Sequence, residues 1–97
     1  MNSKDKKQLK ALASQMPSVV QIGKEGLSNP VIDSARAAIT ARELIKAHVL
    51  NNADLDTQET MEELADMLGA ELVQVIGHYG VLFKKKKEKS HYDFIKD

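Results

Sequence analysis

The sequence predicts one α/β domain of the α+β kind, with the order α-β-α-β-α-β-β and a mixed four-stranded sheet packed with helices. Segments with helical spacing of apolar residues alternate with short segments rich in β-branched residues. Two strand–helix–strand units imply parallel neighbouring strands, and a closing hairpin adds an antiparallel strand. The length of 97 residues suits a single domain, and no internal repeat is present.

The first half of the chain is predicted to form a helix, a strand and a second helix. The first helix covers residues 3–16, because apolar residues recur there at the i, i+3, i+4, i+7 spacing, and Ser3 is its expected N-cap. A strand over residues 19–22 ends at Gly23. Asn29 is expected to cap the second helix, since the proline that follows it suits a first helical position.

The second half is predicted to contain one helix and three strands. Asp54 or Asp56 caps the third helix, and Gly69 ends it. Residues 77–80 form the hairpin between the last two strands. The three strands are predicted over residues 44–50, 72–76 and 81–83.

A run of lysines marks the end of the predicted domain, which covers residues 1–84, and residues 85–97 are expected to form a frayed basic tail. Two interpretations of residues 84–87 stay open, an electrostatic tail and a solubility device. The first is favoured, because four consecutive like charges repel one another and need a counter-surface.

The charges are strongly segregated along the chain. Residues 54–71 include seven acidic side chains and no lysine or arginine. Because the whole chain has 14 acidic and 14 basic residues, the remainder is strongly cationic. A net charge of zero is therefore compatible with an anionic partner on one surface.

Several functional classes find no support in the composition. The chain has no cysteine, which removes disulfides and thiolate chemistry, and its three histidines lack metal-ligand spacing. No serine or histidine belongs to a recognisable nucleophile–base pair. No apolar run is long enough to span a membrane, and no signal peptide is recognisable. We therefore expect a cytoplasmic monomer without catalysis, cofactor, metal or small-molecule substrate.

A loop with two glycines, Gly23-Lys24-Glu25-Gly26, joins the predicted first strand to the second helix. Glycine lets the backbone approach a ligand closely and adopt positive φ. Amide groups in such a loop and at a helix start favour a phosphate, and Lys24 adds positive charge. A turn that simply needs glycine has the same pattern, so both interpretations stay open. In KH domains a GxxG loop clamps a nucleic-acid backbone, but there it joins two helices.

Three blocks of sequence carry a more specific signal than the glycine loop alone. The stretch KQLKALA at residues 7–13 of the first helix accompanies them. The blocks are VQIGKEGL at residues 20–27, ARELIK at 41–46 and GAELVQVIG at 69–77. Together they resemble the YhbY family, the bacterial stand-alone form of the CRM (chloroplast RNA splicing and ribosome maturation) domain. The resemblance implies a fold similar to the C-terminal domain of a translation initiation factor. It also implies association with RNA of the precursor large ribosomal subunit, and no catalysis.

The resemblance and the charge pattern together suggest an RNA-binding set. Its expected members are Gly23, Lys24, Glu25, Gly26, Arg42, Lys46, Lys84, His78, Lys7 and Lys10. The lysines of the first helix could equally form a solvated face. Family members often have Lys or Arg where this chain has His78, and a free histidine is mostly uncharged at neutral pH. Glu25 is compatible with RNA only if its carboxylate points away.

A second hypothesis belongs to a different class. The acidic third helix could dock a basic ribosomal protein, which would make the chain a protein-interaction module. The two hypotheses differ in which surface carries the affinity, the glycine loop or the acidic helix. The chain has only four aromatic residues, which favours a grip on RNA shape and phosphate over the reading of splayed bases.

Overall fold

The computed structural model describes residues 1–95 and confirms the predicted order of elements within them. The helices are α1 (Ser3–Ala13), α2 (Asn29–Arg42) and α3 (Thr57–Leu68). The strands are β1 (Val20–Ile22), β2 (Leu44–Val49), β3 (Glu71–Ile76) and β4 (Tyr79–Phe83). Most bounds lie within one or two residues of the predicted ones, and α1 ends three residues earlier.

The four strands form one mixed sheet in the order β1-β2-β4-β3. β1 and β2 are parallel neighbours, as the first strand–helix–strand unit predicts. The expectation of parallel neighbours for β2 and β3 is wrong, because β4 lies between them and pairs antiparallel with both. A two-residue turn, Gly77-His78, folds β4 back along β3 on the side facing β2.

The two faces of the sheet are covered unequally. α2 and α3 pack on one face around a core that includes Ile22, Ile39, Ile45, Leu64 and Leu82. The other face has a smaller core, which α1 forms with one half of the sheet. Its buried residues are Leu9, Ala13, Leu44, Val73, Val81, Phe83 and Ile95. The remaining half of this second face is not covered by a helix.

The helix ends correct two of the predicted caps. Asn2, rather than Ser3, caps α1, because its side chain accepts a hydrogen bond of 2.8 Å from the Asp5 amide. The α2 cap position is Ser28 rather than Asn29, and the Ser28 side chain makes no capping hydrogen bond. Of the two candidates for α3, Asp56 is the cap. Gly69 ends α3 in the left-handed conformation, as predicted.

Packing against a helix, rather than a turn, explains why one position is glycine. Gly80, expected in the hairpin, lies within β4 and is buried beneath α3. A Cβ at this position would overlap the side chain of Met61. The absence of a side chain therefore allows α3 to approach β4 closely.

The C-terminal segment differs from the expected frayed tail over its described part, which ends at Ile95. Ile95 is fully buried in the smaller core. The carboxylate of Glu43, also fully buried, accepts hydrogen bonds from the amides of Lys86 and His91, both 2.9 Å, and from the Ser90 hydroxyl. Lys96 and Asp97 lie outside the described residues.

Glu43 sits at a strained junction. It is the only residue between α2 and β2, and its φ of 68° is a left-handed value that side chains disfavour. Burial raises the pKa of this carboxyl, but the hydrogen bonds from Ser90, His91 and Lys86 lower it more, so the pKa lies below its ordinary value. The carboxylate is thus held ionised where it fastens the C-terminal segment.

Candidate nucleic-acid interface

The uncovered half of the second face presents a row of side chains across all four strands. Strand register places Gln21, His48, Tyr79 and Ile76 side by side from β1 to β3. Tyr79 and Ile76 are exposed to 38% and 59%. We call this surface, completed by Lys46 and Gln74 in the next row, the open face. It combines aromatic, amide, cationic and apolar groups on one surface.

Two rings on the open face are stacked. The imidazole of His48 and the phenol of Tyr79 lie nearly parallel, with 4.3 Å between centroids and an interplanar angle of 10°. Lys46 Nζ lies 5.8 Å from the centre of the Tyr79 ring, within the range of a cation–π contact. Neighbouring strands thus hold a flat aromatic pair beside a positive charge.

A groove runs between α1 and the open face. It has a volume of about 460 Å³. Lys10 and Ser14 line it from α1, and Lys46, Gln74 and Ile76 line it from the sheet. Two predicted site residues, Lys10 and Lys46, therefore face one cavity although they are 36 positions apart. Lys7 is exposed on α1 one turn before Lys10.

The glycine loop lies at the sheet edge where β1 ends. Gly26 has a φ of +67°, a conformation that favours glycine, and its amide donates to the Gly23 carbonyl at 2.9 Å. The side chains of Lys24 and Glu25 are both exposed. No side-chain hydrogen bond caps α2, so the backbone amides of its first turn, which Pro30 lacks, have no capping partner. Lys24 and these amides together can receive a phosphate.

Backbone hydrogen bonds join this loop to the end of the open face. The Leu50 amide donates to the Ile22 carbonyl at 2.9 Å, which connects the ends of β2 and β1. The Val49 amide donates to the His78 carbonyl at 2.8 Å, which adds the exposed turn between β3 and β4. We call the loop of residues 23–26 together with Gly77-His78 the GxxG edge. Among the expected site residues, the glycine loop and His78 therefore lie at the same end of the sheet.

Two expected site residues lie at the opposite edge. Arg42 ends α2 and is exposed just before β2 begins. The Lys84 ammonium donates to the Leu68 carbonyl at 2.9 Å, where it satisfies the end of α3. Arg36 of α2 also contacts the end of α3, because its guanidinium donates to the Met67 carbonyl at 3.0 Å. The six residues of β2 put about 20 Å between the two edges.

The acidic segment is kept away from the open face. α3 packs on the opposite side of the sheet, against β3 and β4, and its outward side chains are exposed. The acidic ones among them are Glu59, Glu62, Glu63 and Asp66. The sheet therefore separates a mostly acidic surface from one that carries Lys10 and Lys46.

The other aromatic residues are not on the open face. Phe83 is 4% exposed in the smaller core, and the Tyr92 ring packs edge-on against it with 5.2 Å between centroids. Phe94 is 46% exposed beside α1. Among residues 1–95, no three histidine or carboxylate side chains are grouped as metal ligands would be. In the same part of the chain, no helix has both the length and the apolar character needed to cross a bilayer.

Comparison with known proteins agrees with the sequence blocks. A family model described as the CRS1/YhbY (CRM) domain matches residues 1–84. The chain belongs to the CRS1/YhbY (CRM) domain family. It is 34% identical over 93 residues to the probable RNA-binding protein YqeI of Bacillus subtilis, covering 96% of this chain and 97% of YqeI. The predicted family membership is thus confirmed.

Two further proteins extend this similarity. The chain is 37% identical over 94 residues to the probable RNA-binding protein MJ0652 of Methanocaldococcus jannaschii, covering 95% of this chain and 69% of that protein. The solution structure of SAV1595 from Staphylococcus aureus matches with a TM-score of 0.79 at 38% identity, over 93% of this chain and 94% of that one. The predicted fold class is therefore confirmed.

The RNA-binding set predicted from the sequence includes neither His48 nor Tyr79. His48 alternates with Ile45, Ala47 and Val49 along β2, so its outward direction was readable from the pattern. Its partner was not readable, because the stack depends on β4 lying beside β2.

Proposed function

We propose that this CRM-domain chain is a non-enzymatic RNA-binding protein that assists assembly of the large ribosomal subunit by binding its precursor RNA in the cytoplasm. It acts as a monomer, without cofactor. The GxxG edge and the open face form the centre of the contact. Arg42 and the lysines near residue 84 extend it toward the opposite edge.

The observation that carries the proposal is the continuity between the glycine loop and the open face. Gly26 holds the loop in a left-handed turn, Lys24 is exposed on it, and no side-chain hydrogen bond caps the amides at the start of α2. These groups are suited to hold a phosphate of an RNA backbone. The adjoining face carries Lys46 and the groove with Lys10, so a second phosphate has a cationic partner.

Two further observations support the proposal. YqeI and MJ0652 are both named as probable RNA-binding proteins, and the resemblance to the YhbY family implies precursor large-subunit RNA. The acidic residues of α3 lie on the other side of the sheet, where their repulsion of phosphate is weakened by distance and salt.

Crosslinking in cells, followed by sequencing of the attached RNA, tests the proposed partner. The parent chain is expected to enrich RNA of the large-subunit precursor over small-subunit RNA and messenger RNA. A Gly26→Asp variant, which places a carboxylate in the phosphate position, is expected to lose that enrichment at equal expression. Equal crosslinking of both chains to all abundant RNAs would contradict the proposal.

The acidic surface of α3 favours a second candidate. Glu59, Glu62 and Glu63 are exposed along one helix and would complement a basic protein. In that case the chain would join a ribosomal particle through a protein contact. Purified RNA alone would then bind weakly, and the Gly26→Asp variant would still associate with the particle.

A further inference from the structure

We propose that the open face binds one unpaired nucleotide of the RNA, with its base stacked on the His48–Tyr79 pair and its phosphate beside Lys46 and Lys10. This inference rests on the proposed function, because it names the part of the RNA that this surface holds. It revises the sequence-based expectation that the chain grips only RNA shape and phosphate.

The stacked pair is a flat aromatic surface on which a nucleobase can stack. With centroids 4.3 Å apart and planes within 10° of parallel, each ring covers one face of the other, and Gln21 and Ile76 are their outer neighbours in the row. A third ring enters next to Tyr79, on the side of the exposed Ile76. Tyr79 remains 38% exposed although it lies in a strand of the sheet. Every nucleobase has an aromatic face, so such a platform accepts a base of any identity.

The groove beside the pair suits the rest of a nucleotide. Its volume of about 460 Å³ falls within the range of small-ligand sites. Ile76 and Val81 supply apolar lining, while Lys10 and Lys46 supply two cations. Both ammonium groups can bind the same phosphate. The side-chain amide of Gln74 can donate a hydrogen bond to a base edge or accept one from it.

The geometry selects an unpaired nucleotide over a base pair. In an RNA duplex the base faces are covered by neighbouring pairs, so the His48–Tyr79 rings could reach only a base that has left the stack. The GxxG edge adjoins the platform through the turn at His78, so one strand can touch the loop with its backbone and the platform with the next base.

Substitutions of Tyr79 distinguish the effect of aromatic stacking from the effect of side-chain size. The probe is a single-stranded oligouridine of ten residues, and the paired control is a hairpin RNA of equal phosphate number whose loop is replaced by a non-nucleotide linker. Tyr79→Leu, which keeps an apolar side chain but removes the ring, is expected to weaken oligouridine binding about fivefold to 100-fold, the range for loss of one stack. Tyr79→Phe is expected to bind like the parent, and hairpin binding is expected to change less than twofold in both variants.

A second measurement changes only the RNA, so it is independent of how a variant folds. An oligomer in which abasic sites replace all ten uridines keeps every phosphate but has no bases. The parent chain is expected to bind this oligomer more weakly than the intact one, whereas Tyr79→Leu is expected to bind both alike. Equal binding of intact and abasic oligomers by the parent would overturn the stacking proposal.

A spectroscopic signal locates the contact. The chain has two tyrosines and no tryptophan, so Tyr92→Phe leaves Tyr79 as its single tyrosine and keeps the aromatic ring that packs on Phe83. Oligouridine is expected to quench this emission, and the abasic oligomer is expected to do so far less. Hairpin binding with no quenching by oligouridine would refute the base platform and leave RNA binding standing. Failure to bind either RNA would refute the proposed function itself.

Discussion

The Ser90 hydroxyl donates a hydrogen bond to the buried carboxylate of Glu43, 47 positions earlier in the chain. This contact fastens the segment after β4 to the junction between α2 and β2. It also places Ile95 in the smaller core, beneath α1. The ionised side chain of Glu43 therefore helps to hold a residue that packs against α1, which forms one wall of the groove.

Glu43→Gln is expected to lower the free energy of unfolding at pH 7 by about 1–3 kcal/mol, because an amide replaces one of two acceptor oxygens with a donor facing the Lys86, Ser90 or His91 donors. Urea denaturation followed by circular dichroism measures this difference. Glu63→Gln, an exposed position on α3, serves as the matched control and is expected to change little.

The same contact predicts a dependence on pH. The pKa of Glu43 in the folded chain lies below the ordinary value of 4.5, so its carboxylate stabilises the fold above that pH and stops doing so as pH falls through the folded pKa. The difference between parent and Glu43→Gln is therefore expected to shrink between pH 7 and pH 3. An undiminished difference at pH 3 would show that the charge of Glu43 is not what holds the segment.

The contact between Gly80 and Met61 predicts a packing effect. Gly80→Ala is expected to destabilise the domain by about 1–3 kcal/mol, because its Cβ overlaps the Met61 side chain and either that side chain or α3 must shift. In a Met61→Ala background the same substitution is expected to cost much less. A double-mutant cycle from urea denaturation measures this coupling, and additive effects would contradict it.

Salt dependence tests the electrostatic part of the grip. Contact with four to six phosphates is expected to give a slope of about −3 to −5 in a plot of log association constant against log salt concentration. Affinity titrations with structured RNA between about 50 and 200 mM salt measure the slope. A flat response would contradict a cationic interface.

Removal of acidic charges from α3 tests whether this helix takes part in RNA binding. Replacing Glu59, Glu62 and Glu63 by Gln is expected to leave RNA affinity unchanged or slightly raised, because repulsion across the sheet is relieved. Titration with the same RNA, beside a melting curve, measures this. A large loss of affinity in a folded variant would favour the protein-docking hypothesis.

The contrast between local and distant determinants explains what the sequence could predict. The position of Gly69 after the third apolar stripe and the glycines of the loop are local signals, and the structure agrees with both. The place of β4 was not readable, because a hairpin can fold to either side of β3 and only packing, such as Gly80 under Met61, decides.

The same distinction applies to the candidate site. Gly23, Lys24, Glu25 and Gly26 are contiguous in sequence, so their shared loop was predictable. The role of Lys84 at the end of α3 and the stack of His48 on Tyr79 both follow from contacts between distant segments. The charge pattern and the glycine motif therefore predicted one edge of the candidate surface. The rest of that surface depends on the strand order, which the sequence did not predict.

The most direct test of the central claim compares the two edges of the sheet with one structured RNA. Lys24→Ala is expected to weaken binding by about 1 kcal/mol with little change in melting temperature, as for loss of one charge-assisted contact. Gly26→Asp is expected to weaken it more, since it adds bulk and negative charge at the phosphate position. Arg42→Ala, which removes one exposed charge at the opposite edge, is expected to have the smallest effect. If both loop variants bind like the parent while Arg42→Ala loses affinity, the RNA does not bind at the GxxG edge.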